Sequence, residues 1–181
     1  EFIANVSVLG IPHRPGFPLY LLLAKVFSLF SSVNFSWRVN LFSAVSASLA
    51  LALVYLVFIR VAADRFGPTR QKLFSAFLGM GVVLILGFNY SFWIQAVRTE
   101  VYSLALLLFV LLLWLAAKNE TGTSWCRKCV LLFFFLAGLC LTNHPAIALS
   151  TLPALLFLLM TKTGQAWRFK NLLWFIFLFF L

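Results

Sequence analysis

An all-α, polytopic transmembrane helical bundle is the fold class the sequence predicts, and three observations predict it. Hydrophobic residues make up 64% of the chain and charged residues only 10%, against about a quarter charged in soluble domains. Apolar runs near membrane-spanning length recur along the sequence. The basic residues, which give a net charge of +10, gather in short clusters between those runs. A soluble fold of this size could not hide so much apolar surface from water. Basic clusters flanking apolar runs are a product of membrane insertion, so nucleic acid is excluded as a partner and a lipid bilayer takes its place.

A spanning helix needs about 20 mainly apolar residues at about 1.5 Å each. Val39–Ile59 meets that requirement. Leu73–Phe88 follows, with Gly79, Gly81 and Gly87 suited to close helix packing. Val101–Ala117 is an almost unbroken Leu, Phe and Val run. Cys129–Leu141 and Ala146–Met160 are shorter and are separated by Thr142-Asn143-His144-Pro145. As one helix they would run roughly 48 Å, well beyond the ~30 Å hydrocarbon core, so a hairpin turning at Asn-His-Pro is expected. A last run opens at Asn171 and continues to Leu181. The chain starts at Glu1 without methionine and stops within that run, so an upstream signal-anchor helix and the rest of the last run are expected outside it. The whole reads as one transmembrane domain, 1–181.

Phe17–Val33 is apolar but carries Lys25 at its centre. Lys25, Ser28 and Ser32 fall on one helical stripe. That pattern predicts a helix lying in the membrane interface, within a loop region 1–38, and not a span.

Charge orients the set. Arg60, Arg65, Arg70, Lys72, Lys118, Arg127, Lys128, Lys162, Arg168 and Lys170 lie in loops on one side. Arg14, Lys25, Arg38 and Arg98 lie on the other. The ten-to-four split places the first set in the cytoplasm. The far side collects Glu1, His13, Arg14, Arg38, Arg98, Glu100, Asn143 and His144 with Trp37, Tyr90, Trp93 and Tyr102. Ionisable groups at membrane-helix ends are costly unless paired or hydrated, so a cluster of them marks a functional site. Interfacial anchoring by the aromatics and snorkelling arginines is the structural alternative.

Other motifs carry less. Cys126 and Cys129 form a single Cys-x-x-Cys, short of the four ligands zinc needs; inert thiols or palmitoylation fit their place at a cytoplasmic helix end. Cys140 suits a small packing role. Asn-x-Ser/Thr sequons stand at Asn5, Asn34, Asn89 and Asn119. Neither a metal nor a cofactor is expected.

Four separated motifs stand out: Gly10-Ile11-Pro12-His13-Arg14-Pro15-Gly16-Phe17-Pro18-Leu19-Tyr20; Arg38-Val39-Asn40-Leu41-Phe42-Ser43-Ala44; Phe92-Trp93-Ile94-Gln95-Ala96-Val97-Arg98-Thr99-Glu100-Val101-Tyr102; and Gly138-Leu139-Cys140-Leu141-Thr142-Asn143-His144. In this order and spacing the chain resembles the transmembrane protein 260 family of protein O-mannosyltransferases, within the GT-C group of polytopic glycosyltransferases. The resemblance implies a GT-C-like bundle in the endoplasmic reticulum membrane, with a luminal interfacial helix. It implies transfer of mannose from dolichyl-phosphate-mannose to Ser or Thr of a secretory-pathway acceptor protein, with inversion. In such enzymes a carboxylate of the first luminal loop activates the acceptor hydroxyl, and basic or polar groups hold the lipid phosphate.

Carried over residue by residue, Glu1 matches the last position of an Asp-x-Gly-Glu motif, which puts the expected catalytic Asp just upstream. His13, Pro15 and Gly16 match the next element, with Arg14 where proline is usual. Arg38, Asn40, Gln95, Glu100, Asn143 and His144 match the remaining motifs. The resemblance thus implies Glu1 and Glu100 as catalytic carboxylates, and His13, Arg14, Arg38, Gln95, Arg98, Asn143 and His144 as substrate-binding, with Arg38 and Arg98 for phosphate. A transporter or channel subunit, or a non-catalytic scaffold, is the alternative. The transporter would call for paired broken helices or an internal repeat.

Overall fold

A computed structural model describes residues 1–30, 34–65, 70–118 and 127–150. Most of Ala146–Met160, the loop Lys162–Lys170, the run from Asn171, and Ser32, Asn119 and Cys126 lie outside the described residues. Seven helices make up the named elements: α1 Phe2–Val8, α2 Pro18–Phe27, α3 Phe35–Arg65, α4 Arg70–Gly87, α5 Tyr90–Val97, α6 Tyr102–Lys118 and α7 Arg127–Asn143. No strand occurs among the described residues.

The long helix α3 is the centre. Asn34 starts it, its Oδ1 accepting the Ser36 backbone N–H at 2.9 Å, as an N-cap should. Beyond the apolar run Val39–Ile59 the helix continues to Arg65, because Arg and Ala there are good helix formers that need no apolar face. Phe35–Ala62, with mean hydropathy 2.3, is the one helix among the described residues long and apolar enough alone to cross a membrane. Helices α4 and α5 pass that test together, as a pair bent by 69°. Apolar stretches in α2, α6 and α7 are shorter. The 17 residues of α6 run only about 26 Å at the helical rise.

Helix α6 packs along α3, with α4 on another side of α3 and α7 against α6. Gly79 and Gly87 let α4 approach closely. A Cβ on Gly79 would sit 3.1 Å from the rings of Tyr55 and Phe58, and one on Gly87 3.1 Å from Leu51. Gly81, expected to act alike, faces open space. The main core joins five helices through Val6, Tyr20, Ala24, Val39, Leu108, Leu112, Phe133 and Ala137.

Two short helices have no counterpart in the apolar runs. α1 lies in the region read as loop, and α5 in the stretch between two expected spans. The start of α5 has a local cause. Asn89 accepts from the Ser91 and Phe92 backbone N–H groups at 3.0 and 3.4 Å. The sequons at Asn34 and Asn89 therefore serve as helix caps. Asn89→Ala is expected to cost about 1 kcal/mol, a typical cap loss, while Asn89→Asp keeps the acceptor and the stability; thermal melting of the two variants of the full-length protein checks this.

Two members of the polar stripe, Lys25 and Ser28, find partners among the described residues. Helix α2 ends at Phe27, and Ser28 is buried with its hydroxyl donated to Lys25 O at 2.7 Å. Lys25 reaches back to α1, its Nζ 2.6 Å from Ser7 O. Leu22, Leu23, Val26, Leu29 and Phe30 are the exposed side chains instead. Backbone carbonyls thus receive Lys25 and Ser28, and these apolar side chains turn outward.

Candidate active site

The site is assembled at the end of the bundle where α1, α2 and the starts of α3 and α6 meet the end of α7. Glu1 folds onto the loop before α2. Its carboxylate accepts the His13 backbone N–H at 2.6 Å, and both its oxygens lie 3.1 Å from His13 Nδ1. These bonds from the His13 backbone and ring hold the Glu1 carboxyl below the usual carboxylate range. A depressed carboxyl stays ionised at neutral pH, so Nδ1 carries the proton that it donates to Glu1. The stabilisation this contact gives is present above the ordinary carboxylate range and is lost as pH falls through the lowered value.

The loop then turns sharply. Gly16 has φ 97° and Phe17 has φ 48°. For a bulky side chain the left-handed region costs about 1–2 kcal/mol, and ring packing offsets it. Phe17 is buried, with its centroid 5.5 Å from Phe2, 5.3 Å from His13 and 5.8 Å from His144. His144 in turn lies 5.5 Å from Tyr102. These five rings connect α1 and the loop to the end of α7 and to α6.

Asn-His-Pro shapes the far edge. His144 N–H closes the last turn of α7 on Cys140 O at 2.9 Å. Pro145 has no N–H to continue it, and a new helical segment, 145–150, begins. His144 Nδ1 accepts from the Ile147 N–H at 3.4 Å, which puts the ring proton on Nε2 and makes that atom a donor. Asn143 is fully buried; its Nδ2 donates to Val101 O at 3.2 Å. Its Oδ1 has no hydrogen-bond partner among the described residues, and neither has Gln95 Oε1.

Glu100 sits between two brackets. On one side the hydroxyl of buried Thr99 donates to Asn40 Oδ1 of α3. On the other, Asn143 of α7 holds Val101 O. The half-buried carboxyl of Glu100 makes no hydrogen bond or ion pair among the described residues. Its charge is felt by the Tyr20 phenol, which burial chiefly and Glu100 in addition push up, against the lowering effect of a 3.1 Å bond to Ser43.

Two cations share one ring. Lys25 Nζ and Arg38 Cζ lie 5.8 and 5.5 Å from the Phe35 centroid, and Arg38 Nη1 donates to Ser28 O. Arg14 and Arg98 are exposed and make no hydrogen bond or ion pair among the described residues. Glu1, His13, Glu100, Asn143 and His144 are thus brought to one end of the bundle. Arg38 is tied to the α2–α3 junction, and Gln95 contributes its backbone carbonyl, which accepts from Ser103 Oγ at 2.8 Å. Phe17, Tyr20, Ser43 and Thr99 were not legible as site residues; all but Phe17 announce themselves only by a partner distant in sequence.

The four sequence motifs touch one another in a closed circuit. Phe17 meets His144, Tyr20 meets Ser43, Asn40 meets Thr99, and Asn143 meets Val101. Residues 1–168 match the family described as Protein O-mannosyl-transferase TMEM260 N-terminal domain. The chain belongs to that family. Similar to it is protein O-mannosyl-transferase TMEM260 of Mus musculus, 30% identical over 168 residues that cover 90% of this chain and 22% of the mouse protein. Protein O-mannosyl-transferase tmem260 of Dictyostelium discoideum is 24% identical over 188 residues, covering 95% of this chain and 22% of that protein. The chain therefore spans about a fifth of the length of the curated TMEM260 relatives it matches. No solved structure matches it. In this TMEM260 domain, no group of three or more His, Cys, Asp or Glu among the described residues is placed to hold a metal ion.

Proposed function

We propose that the full-length protein is a membrane-bound mannosyltransferase of GT-C type. It moves mannose from dolichyl-phosphate-mannose to a Ser or Thr hydroxyl of a secretory-pathway protein, in the lumen of the endoplasmic reticulum. The observation that carries this reading is the circuit of contacts among the four motifs, in a chain whose relatives are named protein O-mannosyl-transferases. Residues 1–181 alone, a fifth of the relatives' length, are expected to be inactive.

The chemistry asks for a base and for support of a leaving phosphate. A Ser or Thr hydroxyl is too weak an acid to attack unaided, so a carboxylate takes its proton as its oxygen bonds to the sugar C1. The C1–O bond to phosphate breaks on the opposite face, and its electron pair stays on the phosphate oxygen. Inversion follows. Cations or N–H donors stabilise the charge that develops there. With Glu1 engaged by His13, Glu100 is the carboxylate best placed to orient the acceptor or the base. Lys25 and Arg38 around Phe35, and the exposed Arg14 and Arg98, are the cations for the phosphate. His13, Gln95, Asn143 and His144 supply the remaining polar contacts to substrate.

The membrane arrangement belongs to the same proposal. A polytopic bundle places α3, α4, α6 and α7 across the bilayer as one domain, with α1 and α2 at the luminal interface and the ten-cation loops in the cytoplasm. The sequon at Asn119, outside the described residues, then never carries glycan. Glycosylation mapping in microsomes tests this: an unmodified Asn119 is expected, and glycan there overturns the orientation.

The bracket around Glu100 gives a test of the site itself. Thr99→Val keeps shape but removes the bond to Asn40. Mannose transfer by the full-length variant is expected to fall several-fold in kcat with the donor KM little changed, because the residue positions Glu100 and touches no phosphate. An unchanged kcat would remove Thr99 from the site.

A further inference from the structure

Helix α5 is half-packed. Phe92, Ile94, Gln95 and Ala96 are partly buried, and the helix rests on α3. Tyr90, Trp93 and Val97, spaced i, i+3, i+7 along one face, are 78%, 55% and 46% exposed. Phe88 extends this stripe from the α4 side. It is 76% exposed and stacks on Trp93 with centroids 6.5 Å apart and planes 8° from parallel. No charged residue lies within α5, while the exposed polar residues Asn89 and Arg98 close its two ends.

The bend tells what covers the stripe. Helix α4 leads into α5 with an exposed apolar surface that includes Phe77, Leu84, Ile85 and Leu86. If α4 runs along the bilayer normal, the 69° turn leaves α5 about 20° from the membrane plane. That is the attitude of a helix lying in the interface, apolar face down. The side chains agree. Tyr and Trp combine an apolar ring with one polar atom and favour the head-group level. A helix–helix contact within the membrane would use small residues that let backbones approach, and this stripe is aromatic.

We propose that α5 lies in the bilayer interface at the end of α4, with Phe88, Tyr90, Trp93 and Val97 seated at the boundary between head groups and acyl chains. The proposal rests on the membrane reading of α4. It gives α5 an interfacial role in addition to the one proposed for α1 and α2. Held on the membrane surface, α5 would set the level at which the following segment, Arg98 to Val101, meets a lipid-linked substrate.

Site-directed spin labelling of the full-length protein in lipid bilayers tests it, with single cysteines in turn at Tyr90, Trp93, Val97, Gln95 and, as a control, Phe77 of α4. Labels at 90, 93 and 97 are expected to meet dissolved oxygen more readily than a water-soluble nickel chelate. The label at 95 is expected to meet neither. Ready access of the chelate to 90, 93 and 97 would overturn the proposal, as would their shielding from both reagents, which would mean another protein segment covers the stripe. Either result with an oxygen-accessible label at 77 overturns only the placement of α5. A chelate-accessible label at 77 would overturn the membrane reading of α4 and the proposal with it.

Discussion

Glu100→Gln in the full-length protein is expected to lower mannose transfer by roughly 10²-fold or more, the scale of a positioned acid–base group. The substitution preserves side-chain shape and removes only the charge. Thr99 and Val101, buried on either side, keep their bonds to Asn40 and Asn143, so the backbone that carries residue 100 is unaltered. Removing a charge near lipid also lightens the cost of insertion, and expression and membrane integration should match the parent. Loss of transfer without loss of protein is therefore the expected pattern. Side-by-side rates of the purified variant and the parent supply the check, and a near-normal rate would reduce Glu100 to an interfacial anion.

The second large effect is expected at the basic residues, and structure separates two that the sequence grouped together. Arg38→Ala removes the donor to Ser28 O and the contact with Phe35. Hydrogen bonds involving a charged group contribute about 1.5–3 kcal/mol, so the α2–α3 junction should loosen and the melting temperature fall. Donor KM should rise as well, and turnover slow, if the guanidinium also supports the phosphate. Arg98→Ala removes an exposed cation without a bond among the described residues. It should raise the donor KM while leaving the melting temperature in place. Arg38→Lys keeps charge near the ring but loses the planar fork, so it should recover donor use only in part. Measuring donor KM and melting temperature for all three variants distinguishes phosphate binding from a purely structural role. An unchanged KM throughout would take both arginines out of the phosphate site.

The sequence announced the helices whose apolar runs are long. Val39–Ile59 falls within α3, and the Leu-rich core of Val101–Ala117 within α6, because a run of that length has few alternatives to a buried or lipid-covered helix. The helices of seven and eight residues, α1 and α5, were not legible in this way. Each is too short for its period to rise above the surrounding apolar background, and the start of α5 depends on an Asn89 cap hidden inside a sequon. The stripe of Lys25 and Ser28 was visible, but not its direction. Spacing reveals that polar groups share a face, and only packing reveals whether water or a carbonyl such as Ser7 O receives them.

The residues proposed for the site could be picked out in the sequence, but their arrangement could not. Glu1 and His13 bond across 12 positions, Asn143 and Val101 across 42, and Thr99 and Asn40 across 59. No local pattern encodes such pairings. Phe17 is the plainest case. It stood at the start of the stretch read as an interfacial helix, whereas its left-handed backbone and its ring contacts with His13 and His144 make it the joint between the loop before α2 and the end of α7.

The most direct measurement is transfer itself. Purified full-length protein in proteoliposomes would be given labelled dolichyl-phosphate-mannose, or labelled nucleotide-linked mannose, with a Ser/Thr-containing acceptor peptide. The account predicts label on peptide hydroxyls from the lipid-linked donor alone. Absence of label with that donor, or transfer only from the nucleotide-linked sugar, would contradict it.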